Sequence, residues 1–433
     1  IYIYIYIYIY IFNITAKYYI FNIYNIIMSI KLKKELNLLD VTLATVGIVI
    51  GAGIYSIIGV ASKYAKNFTW ISVILCTIFA ICTGLSYAEL GSIFNKNGGE
   101  YNITKELFNN NIASIVGIII IVGEILLLTT VSFGLGSYLS TFIPLKIPIL
   151  AGALQLFFSY LNYSGIRNSI NFNNIATIIE VCGLVLIGII GMFNINFSMF
   201  DISKLNKKAL IDITISSAFL YFAYFGFDIV IELIEETKES EINIPKGLIY
   251  GVSISSLLYL LVTIAAISTI GWKKLSESKS PMIDITNKLL NNKMGYVMMI
   301  VAIISMSNTL LMGSIGSSRF VQSISKDIGL PFNLDKIDET TKTPKNAIIL
   351  ITILSLFGLL FNNIENAAAV ANFFTIILFF IVNISVILLR IKDPDRNRPF
   401  KIPLNMYDIP ITSIIGTLSS ILLLITLIKY KLF

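Results

Sequence analysis

The chain has 433 residues, 56% of them hydrophobic and only 13% charged, with a mean hydropathy of +0.83 and a formal net charge of +7. Soluble domains carry roughly a quarter charged residues, and long apolar runs recur here from end to end. The composition therefore excludes an ordinary soluble domain and indicates a polytopic helical membrane protein in a lipid bilayer. The positive charge is read by its placement in loops, not as a signal for nucleic acid. Histidine is absent, which removes histidine proton relays, histidine metal sites and Ser-His or Cys-His catalysis. Cys76, Cys82 and Cys182 all fall in apolar runs and suggest no disulfide framework. No cofactor or metal is expected.

Residues 1–10 alternate Ile and Tyr without exception. As protein this is an aggregation-prone strand; as genetics it is a repeated ATATAT read in frame. The chain opens at Ile1, and Met28 precedes the short basic lead-in SIKLKKELNLLD. The expectation is a low-complexity leader over 1–27, outside the fold, with Met28 as the start. The leader lacks the basic opening and cleavage site of a signal peptide. From Met28 the hydropathy predicts about eleven spans, near 41–62, 70–94, 112–142, 146–162, 173–195, 211–235, 246–270, 295–323, 345–361, 366–390 and 408–429. With the N-terminus inside, cytoplasmic segments collect Lys31, Lys33, Lys34, Lys96, Lys105, Arg167, Lys238 and Lys246, and the basic stretches 319–345 and 390–401. That distribution favours a cytoplasmic N-terminus by a modest margin.

The first span reads VTLATVGIVIGAGIYSIIGV over 41–60. Gly51 and Gly53, one residue apart in mid-span, invite the backbone to leave helical geometry. Unwound backbone at membrane depth is tolerated where it is buried in protein or lines a cavity, and there freed N–H groups hold an anion and freed carbonyls a cation. The alternative is close helix–helix packing through small residues. The sixth span, SSAFLYFAYFGFDIVIELIEE over 216–236, is interrupted at Gly226 and then carries Asp228 and Glu232. A carboxylate inside a span faces a cavity or a partner. Against this, Glu232, Glu235 and Glu236 are read as the helix rising into cytoplasmic solvent. Two disrupted spans five helices apart match two inverted five-helix repeats, 41–195 and 211–390, with 408–429 as an extra helix. Glu124 in span three and Glu180 in span five either bond neighbouring helices as neutral acids or bind a proton or sodium ion. In span eight Ser305, Ser307, Asn308 and Ser314 offer oxygens for an ion, or simply pack.

At this point the chain resembles the amino acid–polyamine–organocation superfamily, especially its amino acid permeases, over nearly everything after Met28. GIVIGAGIY is similar to that family's broken first helix, and LSYAELGSIFNKNGGEY over 85–101 to its signature at the end of span two. LNYSGIRNSINFNN, FAYFGFD, EETKESEINIPKGL, GSSRFVQSISKDIGLP and RPFKIP add further recognisable stretches. The resemblance implies an all-α, LeuT-like fold with broken first and sixth helices. It also implies a substrate pose. The α-carboxylate meets N–H groups at Gly51, Ala52 and Gly53, and the α-ammonium meets carbonyls of Val49, Phe222 and Phe225. Ala223 lies in the same stretch, and Phe222 closes over the substrate. Two departures limit the transfer. Glu180 stands where many proton-coupled members carry lysine, and eleven spans are found where twelve are usual.

The resulting expectation is a secondary transporter of the cell membrane, not an enzyme. It moves an amino acid by alternating access, coupled to a proton or sodium ion or working by exchange, with Glu180, Glu124 and Ser305 as coupling candidates. A polyamine or other organic cation is the alternative substrate, and a non-transporting amino acid sensor the alternative role. The residues leave the oligomeric state open.

Overall fold

The structure, a computed structural model, describes residues 34–430 apart from 52, 95–96, 196, 279 and 362–363. The predicted leader and Met28 lie outside the described residues. Helix α1 (Leu38–Val49) begins at a capping box, in which the Asn37 side chain accepts from the Leu39 and Asp40 amides and Asp40 accepts from the Asn37 amide. Such a cap contributes on the order of 1 kcal/mol. The chain before it is tied down as well. Leu36 pairs with Thr237 in a parallel bridge, and the Glu35 and Leu36 amides both donate to the Glu236 carbonyl.

The predicted first span is broken in the middle: α1 stops at Val49, a π-helical turn covers Gly53–Ile57, and α2 runs over Ile58–Ala65. Then follow α3 (Thr69–Ile93), α4 (Gly99–Leu107), α5 (Asn110–Leu139), α6 (Ile147–Ser164), α7 (Ile166–Met192) and α8 (Lys207–Leu220). The sixth span continues from α8 through a 3₁₀ turn at Tyr221–Tyr224, a bend at Gly226, and a 3₁₀ helix at Asp228–Glu236. The remainder is α9 (Ser240–Glu277), α10 (Pro281–Leu289), α11 (Asn292–Ile328), α12 (Lys345–Gly358), α13 (Ile364–Lys392) and α14 (Ile411–Lys429). A two-residue hairpin, Asn405–Met406 against Ile409–Pro410, precedes α14.

Each predicted span falls on helix. By length and composition, eight helical stretches among the described residues can cross a membrane, and the first of these, Leu38–Ile93, takes in both of the first two predicted spans. α12 is apolar but shorter. Bulky apolar side chains such as Ile115, Phe157, Ile175 and Ile353 face outward, while Ser, Thr, Asn and Gln are buried between helices. That inversion suits lipid as solvent, where backbone bonds close within helices and polar side chains pair in the interior. α1 packs among α7, α9 and α11, and the π-turn lies against the 3₁₀ turn at Tyr221–Tyr224. The two broken spans therefore touch at their breaks. Segments predicted to share one side of the membrane also meet: Leu36 with Thr237, Lys105 with Asp327, and Glu106 with Arg396.

The carboxylates at the end of the sixth span do not rise into solvent as expected. Glu232 and Glu236 are only 4% and 1% exposed. The cause is long-range packing of the Asp228–Glu236 segment under α11, α9 and α3, which hydropathy along the chain does not register. Glu235 is partly exposed and accepts from the Asn97 amide.

Candidate functional site

Where α1 stops, its last carbonyls lose their helical partners, and at membrane depth each needs another donor. Neighbouring helices supply them. Thr309 of α11 donates toward the Gly47 carbonyl at 3.0 Å and the Ile50 carbonyl at 3.2 Å, and Ser305 donates to Ile50 at 2.9 Å. The Tyr259 hydroxyl of α9 lies 2.6 Å from the Val49 carbonyl and 2.7 Å from the Ala223 carbonyl. One proton serves both acceptors, so the two breaks converge on a single shared donor. On the far side of the break, Tyr138 donates to the Tyr55 carbonyl at 2.8 Å.

The sixth span breaks differently. The Phe222 carbonyl accepts from the Phe225 amide, closing a 3₁₀ turn. Gly226 then adopts φ +101°, a left-handed conformation that a side chain disfavours; a Cβ there would also fall 2.7 Å from Ile48. The Gly226 amide donates to Asp228 at 3.0 Å, so that carboxylate holds the bend just before the segment it begins. Phe222 is buried with its ring 5.5 Å from that of Phe225, and Phe379 of α13 packs against Tyr221, Phe225 and Phe227.

The structure thus brings together Val49, Gly51, Gly53, Phe222, Ala223 and Phe225; Ala52 lies outside the described residues. Contact at Gly53 is close enough that an added Cβ would meet the Ala223 Cα at 2.2 Å. Glu180 is fully buried on α7, beside Tyr55 and Ser305, and neither of its carboxylate oxygens has a hydrogen-bond partner among the described residues. Glu124 is separate from this group: it accepts from Ser317 at 2.8 Å and lines another cavity with Glu100, Asp228 and Glu232. Of the other polar residues in span eight, Asn308 donates to Thr177, and Ser314 accepts from Asn162. Sequence reasoning missed Tyr259 and Thr309. Each is one hydroxyl among several in a mostly apolar run, SSLLYLLVT and MSNTLLM, and nothing local sets it apart.

The motifs that carried the family resemblance build a clamp around Glu89. Arg390 holds the Glu89 carboxylate bidentately at 2.6 and 2.7 Å, Arg398 stands 3.4 Å away, and the Ile402 amide donates at 2.9 Å. Tyr87, in the same YAEL stretch, donates to Glu100.

A family model described as amino acid permease matches residues 36–431. The chain is 27% identical over 394 residues to the branched-chain amino acid permease BcaP of Bacillus subtilis, covering 86% of this chain and 84% of that one. It is 27% identical over 408 residues to the methylthioribose transporter of the same organism, covering 89% and 86%. Among solved structures it is similar to a Na⁺-coupled sialic acid symporter in a substrate-bound outward-open state, with a TM-score of 0.58 at 13% identity and 92% and 90% of the two chains covered. That likeness carries the fold. With a match across nearly all of its described length, the chain belongs to the amino acid permease family of multi-pass membrane transporters.

Proposed function

We propose that this transporter moves an amino acid across the cell membrane by alternating access, with its N-terminus in the cytoplasm, through a site between the two broken spans. The observation that carries the reading is the convergence of the Val49 and Ala223 carbonyls on the Tyr259 hydroxyl. A zwitterion needs acceptors for its ammonium and donors for its carboxylate. In this reading the ammonium replaces the Tyr259 proton at Val49 and Ala223, together with Phe222 and Phe225. Amides of the first break at Gly51, Ala52 and Gly53 receive the carboxylate. Phe222 closes over the bound molecule. Backbone contacts of this kind read the shared head group, so the side chain is selected elsewhere. The two relatives at the same identity are named for different substrates, so similarity does not choose between them. The facing pair of breaks favours a zwitterion, which uses both sets of backbone groups.

Two inverted halves, 41–195 and 211–390, would rock about this site, with 408–429 outside them. The transport is coupled to a proton or sodium ion, or proceeds by exchange. Glu180, next to the break and without a hydrogen-bond partner among the described residues, is the first coupling candidate, with Ser305 beside it. Uptake of a mixed pool of labelled amino acids into liposomes, under a pH gradient, a sodium gradient or internal amino acid, tests this. Accumulation that amines lacking a carboxylate fail to inhibit is expected. Inhibition by those amines as strong as by amino acids would replace the zwitterion with an organic cation.

A further inference from the structure

A small cavity of about 10 Å³ lies beside the sixth span, lined by Glu100, Glu124, Asp228, Glu232, Ser317 and Phe320 among others. That is roughly the space of one water centre. Four carboxylates from three parts of the chain face it, and all four side chains are at most 8% exposed. Neutral donors hold them: Tyr87 O–H at Glu100, Ser317 O–H at Glu124, the Gly226 amide at Asp228 and the Gly98 amide at Glu232. Glu232 Oε1 is buried and has no hydrogen-bond partner among the described residues. Arg319 of α11 does not line the cavity: it stands 3.5 Å from Glu236 and donates through Nη1 to Asn162 and Ser318. The remaining charged neighbours, Glu235 and Glu236, add negative charge to the same segment. Among the described residues no group of acidic side chains has the arrangement of a metal site.

We propose that Glu100, Glu124, Asp228 and Glu232 form a proton-binding cluster that loads and unloads as the 3₁₀ segment Asp228–Glu236 moves against α11. The inference rests on the transport reading above and adds a second coupling site to it, apart from Glu180. Four anions with no cation paired to them among the described residues repel one another strongly in so small a space, and sharing protons removes the cost. The cavity admits a proton on an existing oxygen but little room for a hydrated cation. Each proton comes from water on the side to which the cluster is open, forms an O–H bond at a carboxylate such as Glu232 Oε1, and returns to water when the bond breaks. No redox partner is involved. Glu100, in the short helix between spans, shows the same tendency on its own: burial first, then the negative field of Asp228, push its carboxyl up to about 7. The segment is closed by the Glu236–Arg319 pair and the Leu36–Thr237 bridge. Separating it from α11 opens one wall of the cavity.

The full chain in liposomes tests this in two arms. Infrared spectra taken from acidic to alkaline pH should show a protonated-carboxyl band that titrates away. In Glu232→Gln and in Glu124→Gln that band should lose amplitude while the protein keeps its thermal transition. A band identical in wild type and both variants, or one removed by sodium at constant pH, overturns the cluster. In the second arm a pH gradient drives uptake of the mixed amino acid pool, and a trapped pH dye reports protons. The variants should lose proton-driven accumulation, falling to simple equilibration, and keep exchange against internal amino acid. Variants that concentrate amino acids as wild type does overturn the coupling role. Failure of wild type to move any amino acid would strike the transport reading, while the infrared arm would still decide the cluster.

Discussion

Glu89 and the cavity of Glu100, Glu124, Asp228 and Glu232 are linked through α3, where Tyr87, two residues before Glu89, donates to Glu100, and they treat buried negative charge in opposite ways. Glu89 is neutralised in place by a bidentate Arg390, with Arg398 and the Ile402 amide completing its shell. The cavity carboxylates are held by hydroxyl and amide donors and have no cation of their own among the described residues. A charge fixed by arginine is committed to one arrangement, because breaking it strands a buried ion. Carboxylates held by neutral donors stay free to change protonation as their surroundings change. The clamp joins α3 to α13 and the stretch before α14, and so ties elements far apart in sequence. The cavity instead sits where a short 3₁₀ segment meets α11. One region is built to stay, the other to exchange.

Substitutions in the clamp, the breaks and the cavity wall should differ in what they disturb. The largest effect on transport is expected from Gly53→Leu, whose side chain enters the contact with Ala223. Uptake should fall to that of empty liposomes while the protein stays folded in detergent, as read by its thermal transition. Glu89→Ala should have the largest effect on stability. It removes the buried anion from Arg390 and Arg398 and leaves Arg390 only the exposed Asp408 carboxylate, costing about 3 kcal/mol, visible as a lower unfolding temperature. An unchanged transition would mean that the clamp is not structural.

Arg319 and Glu236 form a second buried pair, at 3.5 Å, in the segment that seals the cavity. Arg319→Met alone should destabilise by a similar amount, and adding Glu236→Met should recover most of it, since two apolar partners replace a buried pair at little cost. A double variant no better than the single one would deny the coupling. Phe222→Ala should act more mildly, weakening amino acid binding by about 1 kcal/mol or more, measured by equilibrium binding of the labelled pool. The smallest effect belongs to the loop before α12. There the Thr341 amide and then the Lys345 ammonium hold the Asp338 carboxyl well below its ordinary value. A lowered carboxyl contributes stability above the ordinary aspartate range, and that contribution is lost as pH falls through the lowered value. Asp338→Asn should therefore lower the unfolding temperature slightly at neutral pH and flatten the acid side of the profile, so that wild type and variant converge as pH falls.

Much of this arrangement was legible in the sequence because its signals are local. Gly51 and Gly53 marked the first break, Gly226 the second, and the apolar runs marked the helices. Glu180 stood out as a carboxylate inside an apolar stretch, and the structure leaves its two oxygens without partners among the described residues. What stayed hidden depends on contacts between distant segments. Tyr259 is 210 residues from Val49, and no local pattern says that its hydroxyl reaches both breaks. Arg390 is 301 residues from Glu89, so the clamp is invisible until the helices assemble. Glu232 and Glu236 were misread for the same reason. A carboxylate-rich helix end reads as solvent-exposed unless the covering helix is known.

The most direct test of the account compares wild type with Gly53→Leu for counterflow of labelled amino acids into liposomes loaded with unlabelled ones. Counterflow needs neither a gradient nor knowledge of the coupling ion, so it reads the site between the two breaks alone. Strong counterflow is expected in wild type and none in the variant, with both proteins equally folded. Equal counterflow in both would contradict a substrate site at the junction of the two broken spans.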